Sequence, residues 1–560
     1  MQALIRSSRL QADPRPRRRR RNGELPDLIV KGGQEAPPKF RTVVPPRVPR
    51  ALVFARVIAW FMASVRFAIA VSLDRFRGQT SMARQAFRAR QIIESMGGTA
   101  IVAGQQIAMR LDVLPLEYAT ELSRMSDREP PIPLSYAIER TEAATRGALS
   151  DVFETFDPEP IASTLMACVY QAVLRSGEKV AVKIRRPDAG LRLATERLAF
   201  DWILRWLTPF MSMQAGFFKH IRDELPQLLL ENLDFTRAAR LQRIFRRQAR
   251  RNGLKRLSAA KVFIKLCGDD VMISEFVAGV LLSEVIAAQE NKDPKALAKL
   301  ASMGINPATV GRRLLHTCWW GFFENLFFCE LPDPSQIVIR PKGRIVFVNL
   351  GDTSVMGWHE RKLLMTGFER LCVHDVEGAV SMFVQLFLPL PHIDVHEFSK
   401  RIESRIWTQL FAMENRDCPW WERASTALWL AILQTTREYG VTVRLNIARM
   451  IQSACAYDHT AARLWPRIRV LNEFRRYTRE ATKRGARRVL RARRKARRKG
   501  ENAGMAMQLT HVERLMKQLN LWTQSIVETV PVQYMSLAKK GAYTTSQTVL
   551  AIMSLAKLAV

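Results

Sequence analysis

"VYQAVLRSGEKVAVKI", residues 169–184, is the stretch on which the fold turns. Two β-rich runs, Val169 to Leu174 and Lys179 to Ile184, flank Arg175-Ser176-Gly177-Glu178, a spacing and turn composition that predict a hairpin. Its second strand carries Val180-Ala181-Val182-Lys183. Downstream, Asp188 to Arg251 shows helical periodicity with few breakers, and Val271 to Val277 returns to strand composition. Ile337 to Ile339 and Ile345 to Val348 flank Pro341-Lys342-Gly343-Arg344 as a second hairpin, and Glu360 to Phe474 is helical again. The expected class is α+β, with a small β-containing lobe ahead of a larger helical lobe.

That order is the order of a protein kinase, and further segments carry the likeness. They are "GQQIAMRLDVLPLEYATELSRMSDREPPIP" (Gly104 to Pro133), "FDPEPIASTLMACVYQAVLRSGEKVAVKIRRP" (Phe156 to Pro187), "ENLDFTRAARLQR" (Glu231 to Arg243) and "ISEFVAGV" (Ile273 to Val280). From near Ile92 to near Phe474 the chain resembles the UbiB/AarF family of atypical kinase-like proteins, associated with quinone and other lipid metabolism. The resemblance implies an atypical protein-kinase-like two-lobe fold with helical N- and C-terminal extensions. It assigns an extension that folds over a nucleotide pocket, an Ala-rich phosphate loop including Ala162, Ser163 and Ala167, a lysine strand, a helix bearing acidic residues, and an interlobe linker. The divisions expected are a basic disordered arm over 1–50, a helical extension over 51–145, a small lobe over 146–277 and a helical lobe over 278–474. A basic segment over 475–505 and a C-terminal helical segment over 506–560 follow.

The chain departs from the family pattern where chemistry is done. Phosphoryl transfer needs a carboxylate near the nucleophile, an Asn and an Asp to hold Mg²⁺, and a Lys held by a Glu to seat the phosphates. In "FFCELPDPSQIVIRPKGRIVFVNLGD", residues 327–352, the catalytic Asp position holds Leu331, the metal-binding Asn position Gln336, and the D-F-G Asp position Asn349. Mg²⁺ takes one or two protein carboxylates, so no metal is expected here and ATP is expected, at most, as a weak ligand. The family's K-x-G-Q motif is read as Val102-Ala103-Gly104-Gln105 without its Lys, its E-x-D as Asn232-Leu233-Asp234, and the Glu that should pair the strand lysine falls on Ala238. Lys183 and Asp234 survive, and with Gly104 and Gln105 they complete the candidate nucleotide-contacting set. Asp234 and Ala238 are four apart, so on one helix face Asp234 is a candidate partner for Lys183. Glu330, Asp333 and Asp352 are the carboxylates close enough in sequence to stand in for the missing acids, but a shift of about 1 Å costs around a hundredfold in rate.

Composition bounds the rest. Residues 1–50 hold 13 Lys/Arg against 4 Asp/Glu and residues 475–499 hold 14 against 1, so 22 of the 35 excess positive charges sit in two short segments. Such runs read as solvated arms, with anionic lipid or nucleic-acid phosphate as the partners charge alone would attract. Tyr477 is the single aromatic in the second run, which disfavours stacking on nucleic-acid bases. The seven cysteines include no C-x-x-C pair, which points to a reducing compartment rather than a zinc site. His392 and His396 are spaced like helical metal ligands but lack the H-E-x-x-H glutamate and a third ligand. Cys329 and the Trp319, Trp320, Phe322, Phe323 cluster read as packing. The Arg-rich N-terminus has no apolar core for a secretory signal and only a weak transit-peptide pattern. Ala51 to Leu73 is strongly apolar but interrupted by Arg56 and Arg66, which argues for a core or interfacial helix over a membrane span.

These readings give three function classes. The first is a pseudokinase scaffold or regulator of lipid or quinone metabolism, peripheral on an anionic membrane surface from the cytoplasm or an organelle matrix, with lipid-biosynthesis proteins as candidate partners. The second is an ATPase or kinase using relocated acids, and the third a nucleic-acid binder working through its basic arms.

Overall fold

A computed structural model describes residues 47–79, 81–101, 104, 116–123, 125, 129–207, 233–330, 332–415, 418, 422–441 and 443–498. The expected segment 506–560 and nearly all of the arm over 1–50 lie outside these residues, as do Gln105, Leu331 and Asn232.

The quoted stretch forms the hairpin its composition predicts. Strands β1 (Phe153–Ser163), β2 (Ala167–Leu174) and β3 (Lys179–Arg185) run antiparallel, with Val169 opposite Lys183 and Gly177 at φ +80° in the connecting turn. That left-handed conformation suits Gly, which has no Cβ to clash. Along β3, Val180, Val182 and Ile184 are fully buried, so the period of two turns Lys183 to the opposite face. After β4 (Leu257–Ala259), β5 (Val271–Glu275) completes the small-lobe sheet in the order β1-β2-β3-β5. The buried faces of these strands close over Ile132, Ala137 and Phe153 to make a core separate from that of the helical lobe.

The linker read at Ile273 to Val280 crosses between sheets. It leaves β5 and enters β6 (Val280–Leu281), which pairs with β8 (Ile337–Arg340) in a second sheet ordered β4-β9-β8-β6, where β9 is Arg344–Phe347. A Cβ on Gly279 would stand 2.5 Å from Val338 Cγ1 and 2.8 Å from the Ile339 carbonyl oxygen, so the crossing depends on a residue without one. Between β6 and β8 lies β7 (Phe328–Cys329), paired with β10 (Thr353–Ser354). The larger lobe is helical, its core running from Leu241 through Trp320, Phe347 and Trp429 to Tyr477. Helix Pro307–Phe323 carries Trp319, Trp320 and Phe322 inward and Phe323 partly so, as expected, and packs on helix Leu445–Leu464. There a Cβ on Gly311 would meet the Ala461 carbonyl oxygen at 2.9 Å.

Two expectations are corrected. Residues 475–498, read as a solvated arm, continue helix Val470–Arg498. Phe474 and Tyr477 of that helix are buried against the helical lobe, and the Tyr477 hydroxyl meets Glu324 Oε1 at 3.0 Å. Of the two alternatives for helix α1 (Arg50–Phe76), the core one is overturned, since only 11% of its apolar window is buried; by length and composition the helix could also cross a membrane. His392 precedes helix Val395–Glu414 while His396 lies within it, so the two do not stack on one helical face.

Candidate functional site

The interlobe cleft collects most of the residues singled out in the sequence. Its floor is the segment from β7 to β10. Asp333 caps the short turn Pro334–Gln336, accepting from the Ser335 backbone N–H at 2.8 Å and from the Ser335 hydroxyl at 2.7 Å. Gln336 then donates through Nε2 to Asp333 Oδ2 at 2.9 Å and accepts at Oε1 from Asn349 Nδ2 at 2.6 Å. Asn349 Oδ1 takes the Gly351 N–H at 3.2 Å. The two amides at the expected metal-binding positions are therefore joined directly to each other. A cavity of about 10 Å³ is lined by Cys329, Pro332, Asp333, Gln336, Asn349 and Asp352, room for about one water. A small-molecule site commonly offers roughly 300 Å³ or more.

The substitute acids are engaged elsewhere. Glu330, buried, accepts from Arg449 Nη1 at 3.0 Å, and Arg449 is itself buried. Asp352 is half-buried, and burial pushes its carboxyl above the usual range while Lys183 first, then Arg449 and Arg237, pull it back. No group of three His, Cys, Asp or Glu able to hold a metal occurs among the described residues. Two amides bonded to one another, one turn-capping carboxylate and one carboxylate under the charges of Lys183, Arg449 and Arg237 are a poor donor set for Mg²⁺. Cys329 is buried beside them, and its carbonyl accepts from the Ser453 hydroxyl at 2.6 Å.

On the opposite wall, the expected pairing of Asp234 with Lys183 is corrected. Helix Phe235–Arg251 begins one residue after Asp234, whose φ of −88° and ψ of 87° leave it as the N-cap, its carboxylate accepting from the Arg237 N–H at 2.7 Å. The Asp234 carboxylate is thus engaged in the first turn of its own helix. Lys183 Nζ lies instead 4.9 Å from the centroid of the Phe235 ring, within cation–π range, with its charge acting on Asp352. Ala238 packs with Ala167, Phe235, Ala239 and Met272, so the place of the missing Glu is an apolar wall.

The assigned phosphate loop is a tight strand-to-strand turn, and the protein itself occupies its polar groups. The Thr164 N–H bonds the Ala167 carbonyl at 2.9 Å, and Leu165 is buried between them. Ser163 Oγ accepts from Arg186 at 2.8 Å and donates to the Pro130 carbonyl at 3.2 Å, tying the turn to the extension. Ala162 is exposed and Ala167 buried. Gly104 is buried where a Cβ would come within 2.6 Å of Met125 Cε, so it serves close packing. Sequence reasoning did not find Arg449 or Phe235 as cleft residues. Phe235 had a signal in standing next to Asp234, whereas Arg449 is brought in from helix Leu445–Leu464 with no local cue.

Comparison with known proteins agrees with this architecture. Residues 124–383 match the ABC1 atypical kinase-like domain. The chain is 26% identical over 309 residues to Protein ACTIVITY OF BC1 COMPLEX KINASE 8, chloroplastic, of Arabidopsis thaliana, covering 54% of this chain and 38% of that one. It is 28% identical over 332 residues to ACTIVITY OF BC1 COMPLEX KINASE 1, chloroplastic, of the same plant, covering 57% and 46%. To Probable protein kinase UbiB of Pseudomonas fluorescens it is 30% identical over 262 residues, covering 44% and 46%. The chain spans less than half the length of each of these relatives. A hairpin bearing the strand lysine, a linker that changes sheets and a β8–β9 hairpin at the cleft floor are thus accounted for together: residues 124–383 carry an ABC1 atypical kinase-like domain, and the chain is similar to the UbiB/AarF family of atypical kinases.

Proposed function

We propose that the chain is a catalytically silent member of the family, a kinase-like scaffold or regulator at an anionic membrane surface in quinone or other lipid metabolism. The observation that carries this reading is the 2.6 Å hydrogen bond from Asn349 to Gln336, at the two positions where phosphoryl transfer needs metal ligands. The bond ties Asn349 Nδ2 to Gln336 Oε1, and neither amide supplies the charge that offsets the dehydration of Mg²⁺. Lys183 is compensated within the chain by Phe235 and Asp352, which weakens the case for a phosphate as its partner and leaves ATP as a weak ligand. The basic run Arg475 to Arg498 supports a lipid-facing role, at about 1 kcal/mol per basic residue near an anionic surface. Two relatives named chloroplastic support an organelle compartment.

Relocated catalysis is the competing reading, and Asp352, the carboxylate on which Lys183 acts, is its best candidate acid. Steady-state ATP hydrolysis by the full chain with Mg²⁺ or Mn²⁺, on anionic vesicles and without them, separates the two. The expected result is no turnover above background. Turnover that disappears in Asp352→Asn or Asp333→Asn overturns the proposal.

A further inference from the structure

Helix α1 is built inside out. Its inward face, Val53, Arg56, Trp60, Ala63 and Asp74, holds the helix's buried polar groups. Arg56 Nε donates to Glu196 Oε2 at 2.6 Å and Trp60 Nε1 to Glu196 Oε1 at 2.5 Å, while the Thr99 hydroxyl donates to the same carboxylate at 2.7 Å. Glu196 lies on helix Ala189–Leu207 and is fully buried. At the other end Asp74, 3% exposed, accepts from Arg88 at 3.0 Å and pairs with Arg84 at 3.2 Å. Midway, Arg66 reaches the Ser95 hydroxyl at 3.4 Å.

The outward face is the apolar one. Phe54, Ile58, Phe61, Val65, Ile69 and Leu73 recur at helical spacing, and their exposures run from 36% at Val65 to 65% at Phe61. A water-facing helix normally shows the reverse arrangement, and an apolar stripe of this length marks an interaction surface. Both ends of the stripe are basic, with exposed Arg47 and Arg50 before it and exposed Arg75 and Arg77 after it, and the helix's one acid is turned inward. Apolar side chains flanked by arginines, with no exposed carboxylate, match the boundary between the acyl chains and headgroups of an anionic bilayer.

We infer that the outward face of α1 is the lipid-embedded surface of this protein, with the helix lying in the plane of an anionic membrane. The geometry selects lying over spanning. The inward face is tied to protein from Arg56 in the second turn to Asp74 in the last, so lipid cannot surround the helix without breaking those bonds. The inference rests on the membrane reading above but adds a different surface and a different force, burial of apolar area that salt does not screen.

The test uses the full chain and a triple variant, Phe54→Ser, Phe61→Ser and Ile69→Ser, all at exposed positions so that the melting temperature reports an intact fold. Partitioning onto vesicles containing anionic lipid is measured at low and at high salt, alongside the oligomeric state without lipid. The wild type is expected to stay bound at high salt, and the variant to lose that salt-resistant binding by at least about tenfold, since each substitution removes apolar area from lipid. Wild-type binding that salt abolishes, with the variant equal to it, overturns the inference and leaves the membrane reading standing on charge alone. No wild-type binding at any salt overturns both. A wild-type dimer that the variant converts to monomer, with vesicle binding unchanged, assigns the face to a second copy of the chain and overturns it.

Discussion

Arg449→Met isolates the claim that Glu330 is a structural acid and not a displaced catalytic one. Arg449 and Glu330 meet at 3.0 Å with side chains 10% and 6% exposed, so the pair is nearly dehydrated. The substitution keeps most of the side-chain volume but withdraws the charge, leaving a buried carboxylate whose desolvation is no longer offset by Arg449. Breaking such a pair from one side costs about 3–5 kcal/mol. Glu330→Gln alone should also destabilise, but combining the two removes both charges and should cost less than their sum by more than about 1 kcal/mol. Urea unfolding of the wild type, both single variants and the double variant reads this directly as midpoints at a shared slope. A loss below about 1 kcal/mol in Arg449→Met, or additivity within about 0.5 kcal/mol, would refute the reasoning.

Three further outcomes follow from the geometry. Glu196→Ala should strip α1 of its anchor at Arg56 and Trp60 and lower stability by about 3 kcal/mol or more, with faster hydrogen exchange in α1 and around Thr99 before the helical lobe responds. Burial pushes the Asp458 carboxyl up to about 6 from 3.8 despite its bonds to Ser425 and Thr426, so the native state holds a proton that the unfolded chain releases. Stability should therefore fall by about 2 kcal/mol as pH rises from about 4 to about 6, and that part of the pH profile should flatten in Asp458→Asn. Gly279→Ala should cost about 1–3 kcal/mol by forcing the linker off Val338 and Ile339, measurable as a lower thermal midpoint.

The hairpin at 169–184 was legible because alternation and turn chemistry are local, and so were the linker and the β8–β9 hairpin. The substitutions at Gln336 and Asn349 could be read by position, but not that the two side chains would bond to each other across 13 residues. The N-cap role of Asp234 has a local signal, since an Asp directly before Phe-Thr-Arg at a helix start is a favoured N-cap. The partners of Lys183 and Glu330 come from Phe235, Asp352 and Arg449, and only the tertiary fold brings them together. The basic run at 475–498 reads as an arm because its charge masks the spacing of Phe474 and Tyr477, which dock the helix. In α1, Arg56 stands out in the sequence as a charge within the apolar run, but its buried partner Glu196 is 140 residues away.

The central claim is that an amide pair has replaced the metal site, and the metal dependence of nucleotide binding tests it most directly. Thermal shift of the full chain is followed against ATP and ADP, with excess Mg²⁺ or Mn²⁺ and again with a chelator. The account predicts either no shift or a small one that is the same in both conditions. A shift that appears only with metal, and is lost in Asp333→Asn or Asp352→Asn, would contradict it.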